Sequence, residues 1–103
     1  ACEHSDPSWF GFLLTCQEGV DRNKVVKYVE EKGVQTRMLF AGNLIKHPCF
    51  DEMRKENCGY LVAGTLENTD RIMRDTFWVG VYPGMTDEMI DYMAKTLREA
   101  CRQ

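Results

Sequence analysis

The chain has 103 residues, of which 44% are hydrophobic and 28% are charged, and its formal net charge at pH 7 is −3. This composition predicts a folded chain with one hydrophobic core, so we expect a single domain over residues 1–103. The acidic balance argues against nucleic-acid binding, because proteins that bind phosphate backbones need clustered positive charge. No apolar run approaches the roughly eighteen residues of a membrane span.

The five cysteines contain no C-x-x-C pair; they are Cys2, Cys16, Cys49, Cys58 and Cys101. Structural zinc sites and most iron–sulfur sites use at least one closely spaced pair, and an odd count does not close a disulfide framework. We therefore expect free thiols and no metal site. The first residues show neither a basic segment nor an apolar leader, and no initiator Met. We expect a cytoplasmic protein from which this chain is an excised part.

The first half of the chain predicts two strands and one helix. Residues 8–16 are aromatic and apolar nearly throughout, which is typical of a buried strand. Asp21 suits an N-cap, three valines follow at helical spacing, and Gly33 suits the position after the last turn. These signals predict a helix over residues 21–32, and residues 34–40 predict a second strand.

The second half begins with a long irregular connection, residues 41–64, in which a short helix is predicted around residues 50–56. Connections of this length are more often functional than idle. A helix capped by Thr65 and a strand over residues 77–82 follow. Thr86 then caps the clearest helix of the chain. The predicted buried face of that helix consists of Met89, Ile90, Met93, Ala94, Leu97 and Cys101.

This order of elements predicts an α+β fold built as a two-layer sandwich, with helices on one face of a three-stranded sheet. The other face of the sheet would either stay polar or dock on another surface. Because the first strand is apolar on both sides, docking is favoured. The aromatic residues predicted for the core or for this docking face are Trp9, Phe10, Phe77 and Trp78.

No catalytic residue can be assigned from motifs, since the sequence has no Ser–His–Asp pattern, phosphate-binding glycine loop or H-E-x-x-H. His47, before Pro48 in the long connection, is a candidate site residue, although a solvated loop histidine is the commoner interpretation. Composition and spacing alone therefore indicate a small α+β domain without a specified activity.

Long motifs resemble one enzyme group. They are SDPSWFGF from Ser5, GVQTRMLFAGNL from Gly33, NTDRIM from Asn68 and TFWVGVYPG from Thr76. In this order they resemble the C-terminal part of the CDP-4-keto-6-deoxy-glucose 3-dehydratases, which belong to the DegT/DnrJ/EryC1/StrS sugar aminotransferase-like branch of fold type I vitamin B6 enzymes. The resemblance implies a small C-terminal domain with a mostly antiparallel three-stranded sheet, taken from a larger lipopolysaccharide-synthesis enzyme.

The resemblance also implies the chemistry of the parent enzyme, which would remove the 3-hydroxyl of a CDP-4-keto-6-deoxyhexose. Pyridoxamine phosphate, a histidine replacing the usual lysine, and a [2Fe–2S] cluster would lie mainly outside this chain. The implied partners are the large domain of the same chain, a second subunit of a homodimer, an NADH-dependent iron–sulfur flavoprotein reductase and the CDP-sugar. The chain alone is expected to be inactive. A related sugar aminotransferase and a stand-alone small-molecule binding module remain as alternatives.

The sequence departs from the family pattern at two points, and it offers three candidate binding residues. None of the five cysteines matches the spacing of the cluster ligands, and His47 stands where the family implies glutamine. Asn43 is a candidate for a hydrogen bond to substrate or cofactor, or alternatively closes a turn beside Gly42. Arg71 and Arg37 are candidates for binding the diphosphate or the cofactor phosphate, and the alternative, favoured for Arg37, is a surface salt bridge.

Overall fold

The computed structural model describes residues 1–102 as a three-stranded sheet with four α-helices. Strand β1 spans Gly11–Thr15, β2 spans Thr36–Met38 and β3 spans Thr76–Gly80, while helix α1 spans Arg22–Glu31, α2 spans Asp51–Glu56, α3 spans Glu67–Asp75 and α4 spans Asp87–Ala100. The sheet order is β1-β3-β2, and both pairings are antiparallel. The predicted α+β class and antiparallel sheet are therefore confirmed. Among the described helices, none is long and apolar enough to cross a membrane.

Helices α1 and α4 cover one face of the sheet. Phe77 and Val79 of the central strand are almost completely buried there, and Val29 of α1 has no exposed surface. Alternate residues of a strand point to the same face, so these two β3 side chains form the sheet's contribution to the core. The remaining buried apolar residues of the core are Cys16, Val25, Val26 and Ala100.

Helix α1 begins and ends as its sequence signals predict. The Asp21 side chain accepts a hydrogen bond from the Asn23 N–H at 2.9 Å, which satisfies one of the free donors of the first turn. At the other end Gly33 adopts a φ of +81°, a conformation that glycine reaches without steric cost. Arg22, the first residue of the helix, donates to the carbonyl oxygens of Met73 at 2.8 Å and Thr76 at 3.3 Å. This contact fixes the junction between α3 and β3.

The buried face of α4 differs from the prediction. Met89 and Ile90 are 44% and 46% exposed and Cys101 is exposed, whereas Thr96 and Ala100 are buried. Thr96 can be buried because its hydroxyl donates to the Tyr92 carbonyl oxygen of the same helix at 2.9 Å. Met93 and Leu97 pack on the core as predicted and Ala94 is half-buried, so the prediction is wrong for Met89, Ile90 and Cys101, and it omits the buried Thr96 and Ala100.

The N-terminal ends of α3 and of β1 also differ from the prediction. Helix α3 begins at Glu67 after Leu66, which has a left-handed φ of 56°, and no side chain caps the helix, so the predicted capping by Thr65 is wrong. Strand β1 lies at the edge of the sheet and begins only at Gly11. Trp9 and Phe10 are exposed, so of the four aromatic residues predicted for the core or for the docking face only Phe77 belongs to the core.

The domain exposes more surface than its length requires. Its accessible surface is 8347 Å², whereas a compact monomer of this size exposes about 6,000 Å². Its radius of gyration is 17.1 Å, compared with about 13 Å for a compact chain of this length. Much of the surface, including many large apolar side chains, is therefore not covered by the described residues themselves.

Candidate functional site

The loop after β2 is anchored on α3 by the side chain of Asn43. Asn43 is only 3% exposed, and its Nδ2 donates to Asp70 Oδ1 at 2.8 Å. Its Oδ1 accepts from the Ile45 N–H at 3.3 Å and so caps the short 3-10 turn Leu44–Lys46. This is the turn-closing geometry that stood as the alternative to a ligand contact. The direct role of Asn43 toward substrate or cofactor stays a prediction.

Asp70 is the centre of this polar cluster. In addition to Asn43, the ammonium of Lys46 lies 2.8 Å from Asp70 Oδ1. The hydrogen bond from Lys46, followed by the one from Asn43, lowers the pKa of the Asp70 carboxyl below its ordinary range. The carboxylate therefore stays ionised and joins two points of the loop to α3. Neither Lys46 nor Asp70 was predicted as a site residue, although Asp70 lies inside the NTDRIM motif that carries the family resemblance.

Gly42 allows the loop to approach α3 closely. Its φ is +64°, and a Cβ atom added there would lie 2.6 Å from Met73 Cγ and 2.9 Å from Met73 Cβ. The next residue, Asn43, donates its backbone N–H to Met73 Sδ at 3.4 Å. A side chain at position 42 would thus be strained by its backbone and blocked by α3.

The rest of the long connection is held by Arg54 of α2. Its guanidinium donates to the carbonyl oxygens of Ile45 and His47, the latter at 2.9 Å, and also binds Asp51. The His47 ring is half-buried and hydrogen-bonded through Nε2 to the Ala41 carbonyl oxygen. His47 and Arg54 therefore both stabilise the loop through hydrogen bonds to its backbone carbonyl oxygens. Arg54 was not predicted from the sequence.

The guanidinium groups of the two candidate arginines have no carboxylate partner among residues 1–102. Arg71 lies exposed on α3, next to Asp70, and forms neither a hydrogen bond nor an ion pair with any of residues 1–102. Arg37 is exposed on β2, and its only side-chain hydrogen bond within the described chain goes to the Thr36 carbonyl oxygen at 2.8 Å. The salt-bridge interpretation of Arg37 therefore has no carboxylate partner within these residues. Asn43 and Arg71 share the α3 region, whereas Arg37 lies on the sheet.

The face of the sheet opposite α1 and α4 carries an apolar patch that contains Arg37. We call the surface formed by Phe10, Leu13, Arg37 and Trp78 the open sheet face. Leu13, Trp78 and Arg37 are direct partners in the strand register, so they share this face. Phe10 packs edge-on against Trp78 with ring centroids 5.4 Å apart, and both Phe10 and Leu13 are more than half exposed. Trp78 donates through Nε1 to the Met38 carbonyl oxygen at 3.2 Å.

The described residues do not fit an iron–sulfur cluster. Within residues 1–102, no three His, Cys, Asp or Glu side chains are placed to share a metal ion. A [2Fe–2S] cluster needs four ligands, usually cysteine thiolates, around its two irons. For a phosphorylated cofactor, the groups that fit are the free guanidiniums, since a phosphate accepts paired N–H donors.

The described architecture is that of an α+β unit found in solved sugar-dehydratase structures. One of these is the E. coli GDP-4-keto-6-deoxy-D-mannose-3-dehydratase with bound hydrated PLP, which matches with a TM-score of 0.65 and 23% identity over 85% of this chain and 22% of that chain. A GDP-4-keto-6-deoxymannose-3-dehydratase with a trapped PLP-glutamate geminal diamine matches with the same TM-score and 24% identity. At these identities the likeness shows the fold.

The sequence itself identifies the family. Residues 1–98 match the DegT/DnrJ/EryC1/StrS aminotransferase family, and the chain belongs to this family. It is 52% identical to the lipopolysaccharide biosynthesis protein RfbH of Salmonella typhimurium, and 46% identical to the dTDP-4-dehydro-2,6-dideoxy-D-glucose 3-dehydratase of Saccharopolyspora spinosa. Each alignment covers 96% of this chain but only 22% and 21% of the relative, respectively. The chain thus spans about a fifth of these proteins, and the family resemblance read from the motifs is confirmed.

Proposed function

We propose that the chain is the C-terminal small domain of a cytoplasmic, pyridoxamine-phosphate-dependent 3-dehydratase. The parent enzyme would remove the 3-hydroxyl of a CDP-4-keto-6-deoxyhexose during deoxysugar synthesis for lipopolysaccharide. The observation that carries this proposal is the 52% identity to RfbH over 96% of the chain. A second relative at 46% identity is named as a sugar 3-dehydratase, which supports the same reaction type. The choice of CDP rests on the motif resemblance.

The open sheet face is the surface that we propose to dock on the rest of the parent chain. Phe10 and Leu13 are exposed there beside the half-buried Trp78, and apolar patches mark interaction sites in soluble proteins. The excess of about 2,000 Å² over a compact monomer supports a large covered area. Arg37 lies within this patch without a carboxylate partner among residues 1–102, so the docked surface would supply a carboxylate or a phosphate.

In this proposal the chain binds and orients, and the reactive groups come from outside it. Pyridoxamine phosphate, when bound, supplies the electron sink for loss of the hydroxyl. Arg71 would donate to the diphosphate of the CDP-sugar or to the cofactor phosphate, since its guanidinium is exposed and uncommitted. Asn43 would offer a hydrogen bond to substrate or cofactor while it holds the loop against Asp70. The cluster, the second subunit and the NADH-dependent reductase complete the proposed parent enzyme.

The parent protein tests the proposal through its absorbance spectrum, recorded before and after addition of pyridoxamine phosphate and the CDP-keto-sugar. Iron–sulfur bands together with a substrate-dependent change in the cofactor band are expected. A parent that binds the cofactor through a lysine and lacks iron would instead support the sugar aminotransferase. Turnover by the purified 103 residues alone would overturn the proposal that the domain is inactive by itself.

The role of Arg71 has a matched control on the same helix. Arg74 is also exposed, but it is paired with Asp75 through two hydrogen bonds of 2.9 and 2.8 Å. In the parent enzyme we expect Arg71→Ala to raise the KM for the CDP-sugar about 10-fold or more, the effect of losing a charge-assisted hydrogen bond. Arg74→Ala should leave KM within about twofold. Equal effects of the two substitutions would contradict the assignment of Arg71.

A further inference from the structure

Two of the five cysteines line the same cleft at one end of the domain. Cys16 directly follows β1, and its backbone N–H donates to the Asp75 carbonyl oxygen at 2.9 Å. Cys101 ends α4, and its N–H donates to the Leu97 carbonyl oxygen at 3.2 Å. The cleft between them has a volume of about 350 Å³, and Phe77 and Leu97 belong to its lining. Both cysteines therefore have fixed backbones and side chains that border one space.

We propose that Cys16 and Cys101 form a disulfide bond when the protein is oxidised, and that this bond staples β1 to the C-terminal end of α4. The inference is independent of the proposed enzymatic function, because it uses only the residues of this domain. Of the other three cysteines within residues 1–102, Cys2, Cys49 and Cys58 are exposed, and none of them borders this cleft.

The environments of the two cysteines determine which of them reacts first. Burial raises the pKa of the Cys16 thiol, and the next contribution in the same direction comes from Cys101. Cys101 therefore contributes to the electrostatic environment of Cys16, in agreement with their shared place on the cleft lining. Cys16 is 7% exposed while Cys101 is exposed, so an oxidant from solvent reaches Cys101 first.

The chemistry requires an external peroxide and balances in two steps. The Cys101 thiolate attacks one oxygen of hydrogen peroxide, the O–O bond breaks, and a sulfenic acid and hydroxide are formed. The Cys16 thiol then loses its proton as it attacks the sulfenic sulfur, the S–S bond forms, and the sulfenic oxygen leaves as hydroxide. Both hydroxides take up the protons released by the thiols. Two thiols have then lost two electrons, and the peroxide has been reduced to two molecules of water.

Peptide mapping of the parent protein tests the proposal. The protein is treated with peroxide, its remaining thiols are alkylated, and it is digested with trypsin without a reductant. We expect the peptide that ends at Arg22 and contains Cys16 to be linked to the peptide 99–102, with a mass about 2 Da below the sum of the two reduced peptides. Treatment with dithiothreitol should separate them. Cys101→Ser should abolish the link, and because Cys101 is exposed this variant should still fold.

A matched control is needed because Cys2 lies in the same tryptic peptide as Cys16. Cys2→Ser should leave the yield of the linked peptide unchanged, whereas Cys16→Ser should reduce it to background. The proposal is overturned if the link disappears in Cys2→Ser and survives in Cys16→Ser. It is also overturned if, after oxidation of the folded wild-type protein, Cys101 is fully alkylated or is linked mainly to Cys49 or Cys58.

Discussion

The contact between Gly42 and α3 allows a quantitative prediction for Gly42→Ala. The φ of +64° disfavours any side chain, and the new Cβ would meet Met73 Cγ at 2.6 Å and Met73 Cβ at 2.9 Å. Both of these atoms lie near the α3 backbone and not at the flexible end of the side chain. The methyl group therefore cannot be accommodated by a rotation of the thioether alone, and either the loop or the helix must shift.

The expected loss of stability has two parts. A left-handed conformation costs an L-residue about 1–2 kcal/mol, and crowding in a packed region adds about 1–3 kcal/mol. Gly33→Ala isolates the first part, because Gly33 has a φ of +81° with no atom within 4 Å of the added Cβ. Gly33→Ala should therefore cost about 1–2 kcal/mol, and Gly42→Ala should cost about 2–5 kcal/mol.

Urea unfolding of the purified chain, followed by circular dichroism at equilibrium, measures both variants. Met73→Ala removes the Cγ contact at 2.6 Å but keeps the Cβ contact at 2.9 Å, so it should relieve part of the crowding in the Gly42→Ala background, and the double variant should lose less than the sum of the single changes. The reasoning is refuted if Gly42→Ala is no more destabilising than Gly33→Ala, or if Met73→Ala gives no relief. Either result would mean that the loop moves away from α3 at little cost.

Two further predictions concern the cap of α4 and the ionised carboxylate on α3. Thr86 accepts a hydrogen bond from the Met89 N–H at 3.3 Å, so Thr86→Ala should lower the free energy of unfolding by about 1 kcal/mol, while Thr86→Ser should restore most of it in the same urea assay. The pKa of Asp70 is lowered in the folded chain, chiefly by Lys46, so its stabilising contribution is complete above the pKa of the unfolded carboxyl and is lost as the pH falls through the folded value. Asp70→Asn should reduce the loss of unfolding free energy at acidic pH, because the variant has no carboxyl to protonate at this position. Urea unfolding curves at several acidic pH values measure this, and an equal pH dependence in the wild type and the variant would contradict the prediction.

The elements that the sequence predicted well are those whose signals are local. Helix α1 has an Asp cap, a valine stripe and a terminal glycine, and all three act in the structure as expected. The central strand β3 is apolar because it is buried, so its sequence already contained that information. The short helix α2 was also found, at Asp51–Glu56.

The features that were missed depend on contacts between distant residues. Burial of Thr96 is stabilised by its bond to Tyr92, and an apolar count cannot include a threonine. Strand β1 lies at the edge of the sheet because it pairs only with β3, and residue composition does not determine which strands pair. In the candidate site, Asp70 meets Asn43 across 27 positions of sequence, so no spacing rule indicated the pair.

The candidate site separates residues that are committed to the fold from residues that are free to bind. Asn43 has donor and acceptor groups engaged within the loop and α3, and it is almost fully buried. Arg71 and Arg37 are exposed and have no carboxylate partner among residues 1–102. The structure loses stability if a ligand displaces the partners of a buried, hydrogen-bonded amide, whereas an exposed guanidinium has N–H groups left to donate to a phosphate, and that of Arg71 has no existing bond among residues 1–102 to break. This difference favours the arginines as the direct contacts of an anionic ligand, with Asn43 and Asp70 fixing the loop beside Arg71.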